Sequence, residues 1–83
     1  MKIPNKKIRK FALYKPEILH TLLYMMALTD EKNGVSLDMD LMCDVLNRST
    51  YENDDYIDRL VNAGLLKRTF KTDNVDIIYK NIA

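Results

Sequence analysis

Residues 49–68 read STYENDDYIDRLVNAGLLKR and contain the clearest signals of secondary structure in the chain. Ser49 and Glu52 have the spacing of a capping box, in which the N-cap hydroxyl and the carboxylate three residues later satisfy each other's backbone N–H groups. The apolar positions that follow recur at helical spacing and are Tyr56, Ile57, Leu60 and Val61. Gly64 suits the left-handed conformation that ends many helices. The stretch therefore predicts a helix from Ser49 to about Ala63, followed by a strand.

A shorter helix is predicted just before this one. Asp38 is a good N-cap residue, and the apolar residues after it, Leu41, Met42, Val45 and Leu46, repeat at helical spacing. The predicted helix runs from Met39 to about Leu46, and Asn47-Arg48 makes a short break before the capping box. Residues 35–37 are predicted to form a very short strand.

The end of the chain has the pattern of a β-hairpin. Residues 65–70 and 75–79 are rich in β-forming side chains, and residues 71–74 between them have turn composition. We therefore predict a hairpin with a polar, partly basic tip.

A long helix is predicted toward the start of the chain. Pro16 fits the first helical turn, where its missing N–H costs nothing, and the turn signal Asn33-Gly34 marks the end. Its apolar residues are Ile18, Leu19, Leu22, Leu23, Met25, Met26 and Leu28. This stripe is too wide for a helix that is covered on one side only, so we expect part of it to face a second subunit.

Residues 1–15 carry six basic side chains and no acidic one. Asn5 could cap a short helix with Ile8, Phe11 and Ala12 on one face. The same residues are also compatible with a flexible basic arm, and the sequence does not decide between the two. The expected division is therefore residues 1–15 as an arm or short helix and residues 16–83 as the main domain.

The net charge of +1 hides a strong asymmetry. Residues 30–58 contain nine acidic and two basic residues, whereas residues 59–71 are basic again through Arg59, Lys67, Arg68 and Lys71. A polyanion would meet the two basic regions and avoid the middle of the chain. We expect these basic residues to converge on one side of the fold, with the carboxylates turned away.

Several classes of protein are disfavoured by the composition. The 83 residues suit one domain, and no apolar stretch approaches the ~20 residues that span a bilayer. Cys43 is the only cysteine, which suits a reducing cytoplasm. His20 has no second ligand at metal spacing, the aspartate clusters fit solvated helix faces, and no glycine-rich phosphate loop is present. We predict no enzymatic activity, no metal, no cofactor and no membrane partner.

The order of elements resembles the winged helix-turn-helix superfamily of DNA-binding domains. The resemblance is carried by residues 39–46, the break at Asn47-Arg48 and residues 49–68, above all LVNAGLLKR at 60–68. It implies an α+β, mainly α fold with a three-helix core and a C-terminal hairpin wing. In that family the second of the two close-set helices enters the major groove and the wing touches the adjacent backbone.

The resemblance implies a set of DNA-contacting residues. Ser49, Thr50, Tyr51 and Asn53 would lie at the tip of the reading helix, with Arg48 just before it, and Lys67, Arg68 and Lys71 would lie on the wing. The basic residues near the start of the chain, Lys6, Lys7, Arg9 and Lys10, are further candidates because basic arms often follow phosphates.

One feature departs from the family pattern. The exposed face of the reading helix would carry Glu52, Asp54, Asp55 and Asp58, opposed by Arg59 alone. Laying this face along a duplex would be repulsive. Either the helix tip alone enters the groove, or the acidic face binds a basic protein partner.

The expected function is sequence-specific binding of double-stranded DNA as a cytoplasmic homodimer on repeated or palindromic sites. The acidic helix and basic extremities resemble the centromere-binding adaptors of tubulin-like (type III) plasmid and phage partition systems, which would add a filament-forming or regulatory protein partner. A small phage or plasmid transcriptional repressor and the DNA-binding domain of a replication initiator are the alternatives.

Overall fold

The computed structural model describes residues 6–29, 34–68 and 74–82. Its helices are α1 (Lys6–Tyr14), α2 (Pro16–Ala27), α3 (Met39–Leu46) and α4 (Thr50–Asn62). Its strands are β1 (Gly34–Ser36), β2 (Leu66–Arg68) and β3 (Asn74–Ile77), and a 3-10 turn covers Tyr79–Asn81. The described part of the chain is thus a small α+β, mainly helical structure. None of these helices has the length and apolar character needed to cross a membrane.

The described part of the first basic segment is helical from Lys6 to Tyr14. Ile8 is buried in the main core and Phe11 packs against that core, whereas Ala12 is exposed. The proposed cap Asn5 lies outside the described residues. Because Ile8 shares one core with α2, α4 and the sheet, α1 is a packed part of the same body.

α2 begins at Pro16 as predicted, but it ends earlier than predicted. The predicted end at Asn33-Gly34 is wrong because α2 ends at Ala27. The Thr29 hydroxyl donates a hydrogen bond to the Met26 carbonyl, at 2.9 Å, and satisfies an acceptor that a longer helix would have used. Gly34 already belongs to β1 and pairs with β3.

The apolar stripe of α2 is divided between core and solvent. Ile18, Leu22 and Met25 are buried, Leu19 and Met26 are partly buried, and Leu23 is 61% exposed. One part of the stripe therefore stays uncovered in the single chain.

α3 and α4 begin and end where the sequence predicts, to within one residue. Asp38 accepts a hydrogen bond from the Leu41 amide, and Asn47 ends α3 with a left-handed φ of 54°. Ser49 and Glu52 form the capping box. Gly64, at φ 76°, follows α4 and turns the chain toward β2.

The three strands form one antiparallel sheet in the order β1–β3–β2. β3 stops at Ile77, so the prediction of strand up to Tyr79 is wrong. The Ile78 amide bonds to the Leu65 carbonyl, and the Asn81 amide bonds back to the Ile78 carbonyl, which turns the chain into 3-10 geometry. Buried side chains from all three strands, Val35, Leu66, Val75 and Ile77, face the helices.

Candidate nucleic-acid interface

Thr50 and Tyr51 are exposed at the N-terminal end of α4. Tyr51 is 83% exposed, the most exposed of the large apolar side chains described. Thr50 is also exposed, and its hydroxyl lies 3.6 Å from the Cys43 sulfur. These two side chains lie at the tip of the helix, as the sequence predicted.

Glu52 occupies the end of α4 with its own negative charge. Its Oε1 accepts hydrogen bonds from the Ser49 amide and from the Ser49 hydroxyl, each at 3.1 Å. These two bonds, with Arg48 and Lys15 nearby, hold the pKa of the Glu52 carboxyl below its ordinary value. Ser49 is therefore engaged in capping, and a phosphate approaching the helix end would compete with this carboxylate.

Asn53 is not at the reading surface. It is 0% exposed, and its Nδ2 lies 3.4 Å from the Cys43 sulfur. Its Oδ1 has no hydrogen-bond partner in the part of the chain that the structure describes. The prediction that Asn53 contacts DNA is wrong, because it stands three and four residues from the buried Tyr56 and Ile57 and so lies on the same buried face.

Arg48 ties α2 to α4. Its guanidinium donates hydrogen bonds to the Thr21 hydroxyl and to the Glu17 carbonyl, the latter at 3.0 Å. It also lies over the Tyr56 ring, 5.0 Å from the centroid. Arg48 is half-buried, so its charge contributes to the local potential while its donors are used within the fold.

Lys15 lies over the same ring, with its ammonium 5.7 Å from the centroid of Tyr56. It was counted among the basic residues of the sequence but was not predicted as a site residue. The sequence held a signal for this contact, because Glu52, Tyr56, Arg59 and Ala63 recur at the spacing of one side of a helix. That spacing marks the side of α4 along which the start of the chain lies.

The other basic residues of α1 lie toward the opposite end of α4. The Lys7 ammonium lies 3.5 Å from the Asn62 carbonyl, and Lys7 and Lys10 line a cleft together with Arg59. With Lys7 near the end of α4 and Lys15 over its middle, α1 runs alongside α4 in the opposite direction. We name Lys7, Lys10, Lys15, Arg48 and Arg59 the cationic flank.

Lys6 and Arg9 are exposed elsewhere on α1. Neither lines the cleft between α1 and α4. They add positive charge to the same end of the molecule without touching α4 in the contacts described.

The described part of the hairpin is less basic than its sequence suggested. Arg68 turns back onto α4, where its guanidinium lies 3.4 Å from Asp54 and 3.6 Å from Asp58. Lys67 is exposed, and its cross-strand partner is Asp76. Lys71 lies outside the described residues.

The acidic face of α4 is partly neutralised within the fold, by two arginines against four acidic residues. Besides the two aspartates at Arg68, Asp55 lies 3.1 Å from Nε of Arg59. Charge repulsion from α4 is therefore weaker than the sequence alone indicated.

The basic residues do not converge as predicted. Arg68 faces the β2 side of α4, whereas the cationic flank follows the α1 side. The expectation of one surface shared by the start of the chain and the hairpin is therefore wrong for the described residues, because the acids of α4 hold Arg68 on the other side of the helix.

The remaining chemical candidates lie apart from one another. His20 is exposed, and Cys43 is a free, half-buried thiol. No group of three or more metal-ligating side chains occurs among the residues that the structure describes.

In comparisons with protein-family models, curated proteins and solved structures, no match to this chain was found.

Proposed function

We propose that this chain binds double-stranded DNA through the cationic flank and the exposed tip of α4. The observation that carries the proposal is the row of five cations along the α1 side of α4, where they outnumber the neighbouring acids Glu52 and Asp55. On the other side of α4, Arg68 holds Asp54 and Asp58. A 13-residue helix is about 20 Å long, so the flank matches several phosphates of one strand.

The two parts of this surface have different roles. Cations that meet phosphates position a protein on a duplex without reading its sequence. Thr50 and Tyr51, exposed at the end of α4, are placed to reach base edges or sugars. The order of elements and the β1–β3–β2 sheet support a winged helix-turn-helix domain, but the flank would replace much of the contact that the wing makes in that family.

A charge-reversal experiment tests the proposal. Lys10→Glu should weaken binding to any duplex at least about tenfold, because a positive charge is lost and a negative one gained beside the phosphates. Lys80→Glu makes the same change of charge in the exposed 3-10 turn and should change affinity by less than about threefold. Equal losses in the two variants, measured by fluorescence anisotropy, would show that the flank has no special role.

The salt dependence gives a second readout. With four to six phosphate contacts per protomer, log affinity should fall against log salt with a slope of about −4 to −5. A slope near zero would point to a surface that binds something other than a polyanion.

A homodimer on repeated or palindromic sites is part of the proposal. Large apolar side chains are exposed on several helices, among them Leu23 on α2 at 61%, and Leu41 and Val45 on α3 at 49% and 58%. A chain of this size buries only about 60–65% of its unfolded surface, so association would stabilise it. The mass in solution, compared with 9.7 kDa for one chain, tests this point.

The biological setting follows from the DNA that the protein selects. We propose a cytoplasmic role in plasmid or phage partition, with a repressor or a replication initiator as alternatives. Sequencing the DNA that co-purifies with the protein separates them: clustered short repeats favour partition or initiation, and one palindrome favours repression.

Binding of a basic protein by the acidic face of α4 is the competing function. Asp54, Asp55 and Asp58 already have cationic partners, which weakens that alternative. It predicts no shift of random duplex in a gel at low salt, whereas the DNA-binding proposal predicts one.

A further inference from the structure

A cleft lies between α1 and the last turn of α4. It has a volume of about 290 Å³ and is lined by Lys7, Lys10, Phe11, Arg59, Asn62 and Ala63. Phe11 and Ala63 are partly buried against the main core, so they give the cleft an apolar floor. None of the six lining residues is acidic.

The electrostatics of the cleft favour a negative group. Arg59 contacts Asp55 through Nε only, and both side chains are about half exposed, at 52% and 43%, which leaves the pair weakly held. The carbonyl end of α4 carries a partial negative charge of about half a unit, but the Lys7 ammonium covers the Asn62 carbonyl there. The positive charges of Lys7, Lys10 and Arg59, even with the Asp55 carboxylate counted against Arg59, exceed the partial negative charge of the helix end.

We propose that this cleft is a binding site for a small amphipathic organic anion. A flat apolar body would lie on Phe11 and Ala63, and a carboxylate or sulfonate would point toward Lys10 and Arg59. The cleft is open to solvent, and its volume lies at the lower limit of ligand sites in proteins, which start at about 300 Å³. A small ligand of one or two fused aromatic rings therefore suits it.

Such a ligand would regulate DNA binding, and this regulatory role rests on the proposed function. Lys7, Lys10 and Arg59 belong to the cationic flank, so an anion seated among them would neutralise charges that meet DNA. Ligand and duplex would then each weaken the binding of the other by the same factor, because coupling between two sites is reciprocal.

The direct test is a titration of the ¹⁵N-labelled protein with 1-naphthoate, followed by amide NMR. We expect saturable shifts at Lys10, Phe11, Arg59 and Ala63. The neutral analogue 1-naphthalenemethanol should bind at least about tenfold more weakly, since it lacks the charge, and acetate should bind no better than the neutral analogue, because it lacks the apolar body. Absence of saturable shifts at the cleft, or equal binding of the charged and neutral rings, would overturn the proposal.

Two charge reversals on the same helix serve as variant and control. Lys10→Glu should weaken naphthoate binding about tenfold, whereas Lys6→Glu, outside the cleft, should change it by less than about threefold. Both positions are exposed, and the dispersion of the amide spectrum verifies that each variant is folded. An equal loss of naphthoate affinity in both variants would show nonspecific attraction to the positive charge of α1 and would contradict a defined site.

A competition assay separates this inference from the proposed function. Displacement of labelled duplex by naphthoate, but not by naphthalenemethanol, supports the regulatory part. If naphthoate binds in the cleft without displacing bound duplex, the regulatory role is refuted and the ligand site is retained. If the protein binds naphthoate in the cleft but binds no duplex, the DNA-binding proposal is refuted and the ligand site is retained. If it binds duplex but no naphthoate, the ligand site is refuted and the DNA-binding proposal is retained.

Discussion

Asn53 lies in the core because the buried stripe of α4 runs through positions 53, 56, 57 and 60. The apolar residues of this stripe begin at Tyr56, and the same spacing extends back to the polar residue at position 53. Helical spacing alone placed Asn53 on the buried face. Its polarity suggested DNA contact, but position along the helix decides which face a residue occupies.

Replacing Asn53 with leucine tests this placement. Leucine has a similar branched shape, and it removes a buried oxygen that has no partner among the described residues, a situation that costs about 1–3 kcal/mol. We expect Asn53→Leu to melt at the same or a higher temperature and to bind duplex with unchanged affinity and sequence preference. Loss of sequence preference in a folded Asn53→Leu protein would instead indicate that Asn53 contacts DNA.

Glu52 makes stability depend on pH. Its pKa is lowered in the folded chain from an ordinary value of 4.5, mainly by hydrogen bonds from Ser49. A carboxyl with a lowered folded pKa stabilises the fold fully above its unfolded pKa, and this contribution is lost as the pH falls through the folded pKa.

We therefore expect Glu52→Gln to lower the melting temperature near pH 7, since glutamine keeps an acceptor but lacks the charge. The difference from the unmodified protein should shrink as the pH is taken below 4.5, the ordinary pKa of this carboxyl group. A difference that stays constant between neutral and acidic pH would mean that the charge of Glu52 does not contribute.

At the scale of the elements, α4 is a helix with two unlike sides. On the α1 side the cationic flank is open to solvent at several positions. On the β2 side Arg68 holds Asp54 and Asp58. Exposed pairs of this kind contribute about 0–1 kcal/mol to stability, so their main effect is on the field around the helix.

This arrangement predicts the effect of removing Arg68. Arg68→Ala should weaken duplex binding less than Lys10→Ala, because Arg68 is engaged with the two aspartates. In a protein with Asp54→Asn and Asp58→Asn, Arg68 is released, and Arg68→Ala should then cost more affinity than it does in the unmodified protein. Equal costs in the two backgrounds would show that Arg68 contacts DNA directly, as the sequence resemblance implied.

The boundaries of α3 and α4 could be predicted from sequence because local chemistry sets them. Backbone N–H groups at the helix starts are satisfied by Asp38 and by the capping box at Ser49. After α4, Gly64 adopts the left-handed conformation that ends many helices. The end of α2 was missed because it depends on the Thr29 hydroxyl and on the pairing of Gly34 with β3, which is a contact distant in sequence. The end of β3 was missed for the same reason, since the Ile78 amide bonds to Leu65.

The candidate site was only partly predictable. Thr50 and Tyr51 lie at the tip of α4 as local sequence indicated. The partners of Arg48, Lys15 and Arg68 depend on how α1, α2 and β2 pack along α4. Charge counts along a sequence cannot show which cations the fold will pair with its own acids.

In the described residues, the cationic flank and the ion pairs of Arg59 and Arg68 lie around α4, whereas the sequence suggested a basic region at each end of the chain. The net charge is only +1, so attraction to a polyanion depends on local concentration of cations. The cationic flank provides that concentration within about the length of α4.

Amide NMR with a short duplex tests this account most directly, because it maps the bound surface without any substitution. The account predicts the largest shifts along the cationic flank and at Thr50 and Tyr51, with small shifts at Asp54, Asp58 and the sheet. Shifts confined to the β2 side of α4 and the hairpin, or to no defined surface at all, would contradict it.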